Sequence, residues 1–318
     1  MEQKALSPSF KWLRVLKRGT LQRQAVLGLI RDRLPLGARV ALRSFVSEPE
    51  RRAALRSFEQ NAVPLFSVVH LETVSMCNSR CSFCAAGVQF GNMSNRKMPD
   101  ELVEKVLGEL AELRYRGRIS FYCNNEPLLD QRMTAFVRRA KERVPGAEVE
   151  LKTNGIRLTV AKARELLDAG VDLLILNDYT EGDRLSDRAQ TVKQEFRGDA
   201  RVQVNERQMN ATLFNRAGTS PSSSPVVAPL KMSCVLPFEM VTINPNGDVS
   251  ICSDDVFFEQ VMGNVSSQRL RDIWYSPAYS DLRRKLLDKD RTASGICSRC
   301  DNRGYRHARG FRRYLSWI

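Results

Sequence analysis

The sequence predicts an α/β protein, a parallel sheet with helices between its strands, carrying a small second domain. Three observations lead there. Strand-like and helix-like segments alternate from residue 66 to residue 206. Polar and Gly-containing tripeptides stand where those strands should end, and in parallel sheets ligands gather at the carboxyl ends of the strands. After a Ser-, Gly- and Pro-rich stretch from Ala217 to Val227, the pattern changes to a hairpin, two short helices and a closely spaced Cys pair.

Residues 1–62 read as a helical, basic extension. Trp12, Leu13, Val15, Leu16, Leu21, Val26, Leu27, Leu29 and Ile30 follow helical spacing until Leu34-Pro35-Leu36-Gly37 breaks it, and a second helix is expected over Glu50–Phe58. This segment holds thirteen Lys/Arg against five Asp/Glu, a net of +8, and residues 301–318 hold five Arg against one Asp, a net of +4. The two ends therefore carry most of the chain's net +14. Such ends can be solvated surface, or can meet an acidic protein, nucleic acid or anionic lipid. Peripheral membrane contact through the first segment is one expectation; no nucleic acid is expected.

The sheet follows. Strands are expected at Phe66–Thr73, Arg118–Cys123, Glu148–Lys152, Val171–Leu176 and Arg201–Glu206. Helices are expected at Asp100–Leu113, which Pro99-Asp100 starts, at Asp130–Arg143, at Val160–Ala169 and in the polar stretch after residue 176. Helical spans of this size between strands imply right-handed βαβ units. Beyond the linker, Phe238–Ile243 and Val249–Cys252 flank an Asn246-Gly247 hairpin signal, with helices around Leu270–Tyr275 and Tyr279–Leu287. The chain thus divides into the extension at 1–62, the sheet at 63–217, a linker at 218–230 and the second domain with its basic tail at 231–318.

No apolar run of about eighteen residues occurs, and the N-terminus lacks the form of a secretory signal, so a cytoplasmic protein is expected. Eight Cys in such a chain point to metal rather than disulfides.

Cys77-Asn-Ser-Arg-Cys81-Ser-Phe-Cys84 puts three thiols directly after the first strand. An iron–sulfur cubane normally takes four thiolates, so three leave one iron open. An open iron can be chelated by the amino and carboxylate groups of S-adenosylmethionine (SAM), and an electron passed to its sulfonium releases a 5′-deoxyadenosyl radical. The alternative is a zinc loop, which usually has four ligands in paired knuckles; the only histidines are His70 and His307.

The run resembles the CxxxCxφC signature of the radical SAM superfamily, with Phe83 as the aromatic that packs beside adenine. That resemblance covers roughly residues 66–217 and implies a partial (β/α)6 barrel. Asn124-Asn125-Glu126-Pro127 then stands where the family has Gly-Gly-Glu-Pro, whose carbonyls and Glu hold the SAM amino group. Asn tolerates positive φ better than most residues. Thr153-Asn154-Gly155 matches a family TNG near the SAM ribose or carboxylate, and Asn177, expected at the fourth strand's end, matches a SAM-contacting Ser.

Cys234, Cys252, Cys297 and Cys300 form the pattern C-x17-C-x44-C-x2-C. Four thiols can ligate a cubane completely; a structural zinc is the alternative. The hairpin between Cys234 and Cys252, and Met262-Gly263-Asn264-Val265 before Ile273-Trp274, resemble a SPASM/twitch cap. Four cysteines imply the twitch form with one auxiliary 4Fe-4S cluster.

A deoxyadenosyl radical abstracts hydrogen from an unactivated carbon. If an auxiliary cluster takes the second electron, an alcohol becomes a ketone; if a thiol returns hydrogen to the opposite face, the carbon is epimerised. Cys123 is the one thiol left over, a candidate donor or a buried core Cys. Asn215-Arg216-Ala217-Gly218 matches an NRAG found in SPASM/twitch relatives, and Arg216 could bind a polar substrate or a developing oxyanion. Glu206 and Asp178 are further candidates at the mouth. The expected activity is oxidation of a small polyol, sugar or aminocyclitol, with a sugar epimerase or a peptide maturase as alternatives. A zinc-dependent nucleic-acid binder is the non-enzymatic reading. The low-potential reductant implied is an acidic flavodoxin or ferredoxin, which basic ends would steer.

Overall fold

The computed structural model describes residues 63–88, 95–180, 184–208, 214–221 and 223–302. The expected basic extension at 1–62 and the tail from 303 lie outside them. The chain enters the sheet through β1 (Val68–Leu71), whose four residues are all buried. The cysteine loop and the short α1 (Ala85–Val88) follow. The helix α2 (Asp100–Glu112) has Asp100 and Glu101 in its first turn, where they favour the helix dipole. It buries Leu102, Val103, Val106, Leu107 and Leu110 at helical spacing.

Three more βα units repeat the pattern. They are β2 (Arg118–Ser120) with α3 (Met133–Arg143), β3 (Glu148–Thr153) with α4 (Val160–Asp168), and β4 (Leu173–Thr180) with α5 (Asp187–Glu195). Thr159 and Ser186 cap α4 and α5 through their hydroxyls. After β5 (Val202–Gln208), the strands β6 (Met240–Ile243), β7 (Asp248–Ser250) and β8 (Val261–Asn264) precede α6 (Leu270–Trp274), α7 (Pro277–Leu287) and the short α8 (Gly295–Ser298).

One eight-stranded sheet runs β5-β4-β3-β2-β1-β6-β7-β8. Its first six strands are parallel, because β6 lies alongside β1 with Val69 opposite Val241. The sheet is not closed, and among the described residues only a single 3-10 turn at Leu236–Phe238 separates β5 from β6. Strands β7 and β8 continue antiparallel, so the hairpin of the C-terminal segment extends the first sheet instead of making its own. In the turn between β6 and β7, Gly247 takes φ +85 and donates its N–H to Asn244 O at 2.9 Å.

Strand β4 is longer than its apolar run predicts. It passes through Asn177 to Thr180, because β5 pairs with it from Leu174 to Thr180. Asn177 therefore lies inside the strand, where its Oδ1 accepts from Asn205 Nδ2 at 3.1 Å. Strand β8 has no counterpart in the sequence reading.

Buried parallel strands are usually apolar on both faces. Here a polar ladder crosses the sheet. Arg118 pairs with Glu150 at 2.6 Å, Lys152 donates to Tyr122 Oη at 2.6 Å, and His70 Nδ1 lies 3.3 Å from Thr242 Oγ1. Burial, reinforced by Lys152 and Arg118, pushes His70 down to about 3, so it stays neutral. Among the described residues no helix is long and apolar enough to cross a membrane.

Candidate functional site

The three thiols of the first loop sit at the carboxyl end of β1. Cys81 is buried and Cys77 and Cys84 are half-buried. Cys84 N–H donates to Cys81 O at 3.0 Å, closing a tight turn, and Ser79 Oγ lies 3.1 Å from Cys81 Sγ. Burial pushes Cys77 up to about 11, and Glu126, Cys84 and Cys81 add to the rise by repulsion. Phe83 is buried, with its ring 5.5 Å from Tyr179 on β4.

Glu126 organises the next two strand ends. It is 2% exposed. Its carboxylate accepts from Leu128 N at 3.0 Å, Thr153 Oγ1 at 2.7 Å and Asn154 N at 2.7 Å, and its own N–H donates to Met76 O at 2.7 Å. Asn154 Nδ2 in turn donates to Asn78 Oδ1 at 2.8 Å and lies 3.9 Å from Cys77 Sγ. The ends of β2 and β3 are thereby bound to the cysteine loop. Gly155 takes φ +78, and a Cβ there would stand 2.0 Å from Leu176 Cδ1, so only Gly fits. Asn124 and Asn125 do not use positive φ. Their Nδ2 atoms are buried and have no hydrogen-bond partner among the described residues.

Positive φ appears instead at Arg216 (+45), Ala217 (+54) and Gly218 (+78). Consecutive non-Gly residues in this region store strain, and neighbours on four sides hold the turn. Arg216 Nη2 donates to Asn124 Oδ1 and to Ser253 O, both at 2.6 Å. Its Nε lies 3.7 Å from Asp254 Oδ1. Ala217 O accepts from Arg299 Nε at 2.6 Å. Asn215 and Asp301 bond reciprocally, and Ser220 Oγ donates to Phe83 O at 2.7 Å. The turn thus touches both cysteine groups.

Glu72 and Cys123 complete this mouth. Glu72 accepts from Asn124 N at 2.7 Å. Burial pushes its carboxyl up to about 7 against the pull of that bond and of Arg216. The Cys123 thiol lies 3.9 Å from Ser253 O, and burial holds it protonated, far above the usual thiol range. Asp178 is spent elsewhere, accepting from Ser186 N at 2.6 Å and Ser186 Oγ at 2.9 Å. Glu206 is exposed on β5. Neither joins the mouth.

Cys234, Cys252, Cys297 and Cys300 are all buried. Burial raises each, with Cys297 and Cys300 reaching about 12. Cys252 is raised further by Asp254 and then by the other three thiols. Among the described residues no three His, Cys, Asp or Glu close on a single metal ion. A cubane takes one thiolate per iron, so its ligands surround a larger body.

The donors fit the groups expected. Four buried thiols whose thiolates would repel one another need a cation among them before they can ionise together. Three thiols beside two unpartnered amide donors suit a cluster next to a small zwitterion. Sequence reading missed Glu72, Ser253, Asp254 and Asn302. Glu72 carried a signal, a lone carboxylate ending an apolar strand. The others lie in loops whose approach depends on the cap.

A family model described as the radical SAM superfamily matches residues 71–177, and one described as SPASM, an iron–sulfur cluster-binding domain, matches residues 234–301. The S-adenosyl-L-methionine-dependent 2-deoxy-scyllo-inosamine dehydrogenase of Niallia circulans is 28% identical over 246 residues, 75% of this chain and 94% of that one. A tungsten-containing aldehyde ferredoxin oxidoreductase cofactor-modifying protein of Pyrococcus furiosus is 32% identical over 106 residues, 33% of this chain and 29% of that one. The crystal structure of BtrN in complex with AdoMet and 2-DOIA matches with TM-score 0.66 and 28% identity, covering 75% of this chain and 94% of that chain. BtrN in an open conformation matches with TM-score 0.59 and 25% identity, covering 77% and 99%.

Proposed function

Because the chain belongs to the radical SAM superfamily and carries a SPASM-type cluster domain, we propose that it oxidises one alcohol of a small polyol, sugar or aminocyclitol to a ketone. It is a radical SAM oxidoreductase that uses SAM, a cluster with an open iron and an auxiliary cluster. When bound, the first cluster delivers the electron that cleaves SAM to a 5′-deoxyadenosyl radical.

Cys77, Cys81 and Cys84 hold the SAM-binding 4Fe-4S cluster. Cys234, Cys252, Cys297 and Cys300 hold the auxiliary one. Glu126 fixes the ends of β2 and β3, and Asn124, Asn125, Thr153, Asn154, Asn177 and Phe83 contact SAM. Arg216 orients the substrate. Its Nη2 is committed to Asn124 and Ser253, while Nη1 makes no hydrogen bond among the described residues and can take a substrate oxygen. A fixed guanidinium in a buried mouth stabilises charge developing on that oxygen. Glu72, pushed up to about 7, can take the proton that alcohol oxidation releases near neutral pH. An acidic flavodoxin or ferredoxin supplies the electrons.

The carrying observation is Arg216, which joins Asn124, next to Asn125 and Glu126, to Ser253, next to Cys252. On this reading it would stand between the cluster that starts the reaction and the one that takes the second electron. The relative named a 2-deoxy-scyllo-inosamine dehydrogenase supports an aminocyclitol as the first substrate to try. Anaerobically reconstituted protein, given SAM, a reductant and 2-deoxy-scyllo-inosamine or neutral cyclitols, should yield 5′-deoxyadenosine and a ketone in equal amounts. 5′-Deoxyadenosine without any ketone across that panel would sink the reading.

Cys123 carries a second reading. Its thiol, kept protonated beside Arg216, could return hydrogen to a substrate carbon. Solvent deuterium on carbon in an epimerised product, lost in Cys123→Ala, would favour it over oxidation.

A further inference from the structure

Two arginines are buried in the C-terminal segment, and they are held differently. Arg283 lies over aromatic rings, 3.9 Å from the centroid of Trp274 and 4.5 Å from that of Tyr279. Arg291 is 2% exposed and has no such cage among the described residues. Every hydrogen bond it makes goes to a backbone carbonyl: Nε to Met232 O at 2.9 Å, Nη2 to Asn302 O at 2.8 Å and Nη2 to Ser233 O at 3.5 Å. Among the described residues no carboxylate lies within ion-pair distance of it.

A buried cation without a counter-charge is costly. The groups it neighbours are thiol-bearing segments, since the carbonyl it holds at Ser233 belongs to the residue before Cys234. Its three carbonyls also have a common place. Met232 and Ser233 precede Cys234, Asn302 follows Cys300, and Arg291 itself stands six residues before Cys297. One guanidinium therefore ties together the segments that carry three of the four thiols. Asn302 closes the set on another side, donating Nδ2 to Asp254 Oδ2 at 2.7 Å and its N–H to Cys300 Sγ at 3.4 Å.

We propose that Arg291 is the positioning residue and counter-charge of the auxiliary cluster, setting its reduction potential. This rests on the reading of Cys234, Cys252, Cys297 and Cys300 as that cluster's ligands. Four thiolates around a cubane leave a net negative group that becomes more negative on reduction. A fixed cation beside it favours the reduced form and so raises the potential.

The test uses full-length, anaerobically reconstituted protein as parent, Arg291→Gln and Arg291→Lys. Iron is counted, and each cluster's EPR signal is titrated against potential, with the SAM-binding cluster as internal reference. The ligand reading is checked separately: the parent should hold about eight irons and Cys297→Ala about four. A parent with about four irons overturns that reading and the role of Arg291 with it, whereas a parent with about eight irons and an unmoved auxiliary potential in Arg291→Gln overturns the role of Arg291 alone. In Arg291→Gln, the reduced-to-oxidised ratio of the auxiliary cluster at a fixed potential should fall at least tenfold, about 59 mV for one electron. The Lys variant should fall between Gln and parent, and the reference cluster should not move. An auxiliary potential unchanged in the Gln variant overturns the proposal. If Gln cannot hold the cluster, Lys decides: retention with a parent-like potential supports the proposal, and equal loss overturns the counter-charge role.

Discussion

Asn215 and Asp301 bond to each other twice. Asn215 N–H donates to Asp301 Oδ1 at 2.8 Å, and Asp301 N–H donates to Asn215 Oδ1 at 3.0 Å. The pair joins the residue before Arg216 to the residue after Cys300. It fixes the base of a strained turn to the rim of the second cysteine set. Asp301→Ala leaves the buried backbone N–H of Asn215 unpaired, while the residue-301 N–H can still donate to Asn215 Oδ1; the lost bond costs about 1–3 kcal/mol. The anaerobic thermal midpoint should drop by several degrees. Because Arg216 loses its anchor, KM for the substrate should rise more than kcat falls.

Single substitutions should separate the roles proposed for the two cysteine sets. Cys81→Ala should abolish 5′-deoxyadenosine formation while leaving about four irons. Cys297→Ala should also leave about four irons, yet retain slow SAM cleavage and make no ketone. Chromatography of the nucleoside and product in parallel reads both. Equal turnover in the two variants would contradict the division.

Glu126→Gln replaces a carboxylate that accepts three hydrogen bonds with a group that presents its own donor. One of Leu128 N, Asn154 N or Thr153 Oγ1 then loses its acceptor, at about 1–3 kcal/mol. The Asn154 loop beside Cys77 should loosen. SAM affinity by anaerobic equilibrium binding should fall about tenfold, with iron content unchanged. Unaltered affinity would remove Glu126 from the SAM site.

Glu72 makes stability depend on pH. Its carboxyl titrates at about 7 in the fold against an ordinary value of 4.5, so the folded chain binds this proton more tightly than the unfolded one. The resulting stabilisation is complete below about pH 4.5 and is lost as the pH climbs through about 7, up to about 3 kcal/mol in all. Glu72→Gln keeps an acceptor for Asn124 N–H and cannot titrate. Relative to the parent, its unfolding midpoint should rise between pH 5 and pH 8. A constant difference across that range would mean the carboxyl is not held protonated.

Much of this was legible in the residues. Pro99-Asp100 with apolar residues at helical spacing marked α2 to within one residue, since cap and period agree locally. The three thiols of the first loop and the four of the second could be sorted by spacing alone. What escaped depends on partners distant in sequence. Asn177 to Thr180 carry no apolar alternation, and the β5 ladder holds them in strand. Asn124 and Asn125 stand where glycines suggest positive φ, yet that conformation belongs to Arg216 and Ala217, which no local rule would select. Ser253 and Asp254 enter the mouth only because β6 and β7 bring their loop there.

The seat of β6 against β1 has its own consequence for how the molecule is made. Ser67 Oγ donates to Glu239 O across 172 residues, and β1 pairs with β6 along its full length. During synthesis, one edge of Val68–Leu71 waits uncovered until residue 243 has left the ribosome. A fragment stopped near residue 217 would present that apolar edge to other chains and should self-associate. The segments on either side of the linker share this one sheet, so two fragments made by splitting the chain there should each lack the β1–β6 pairing until they meet.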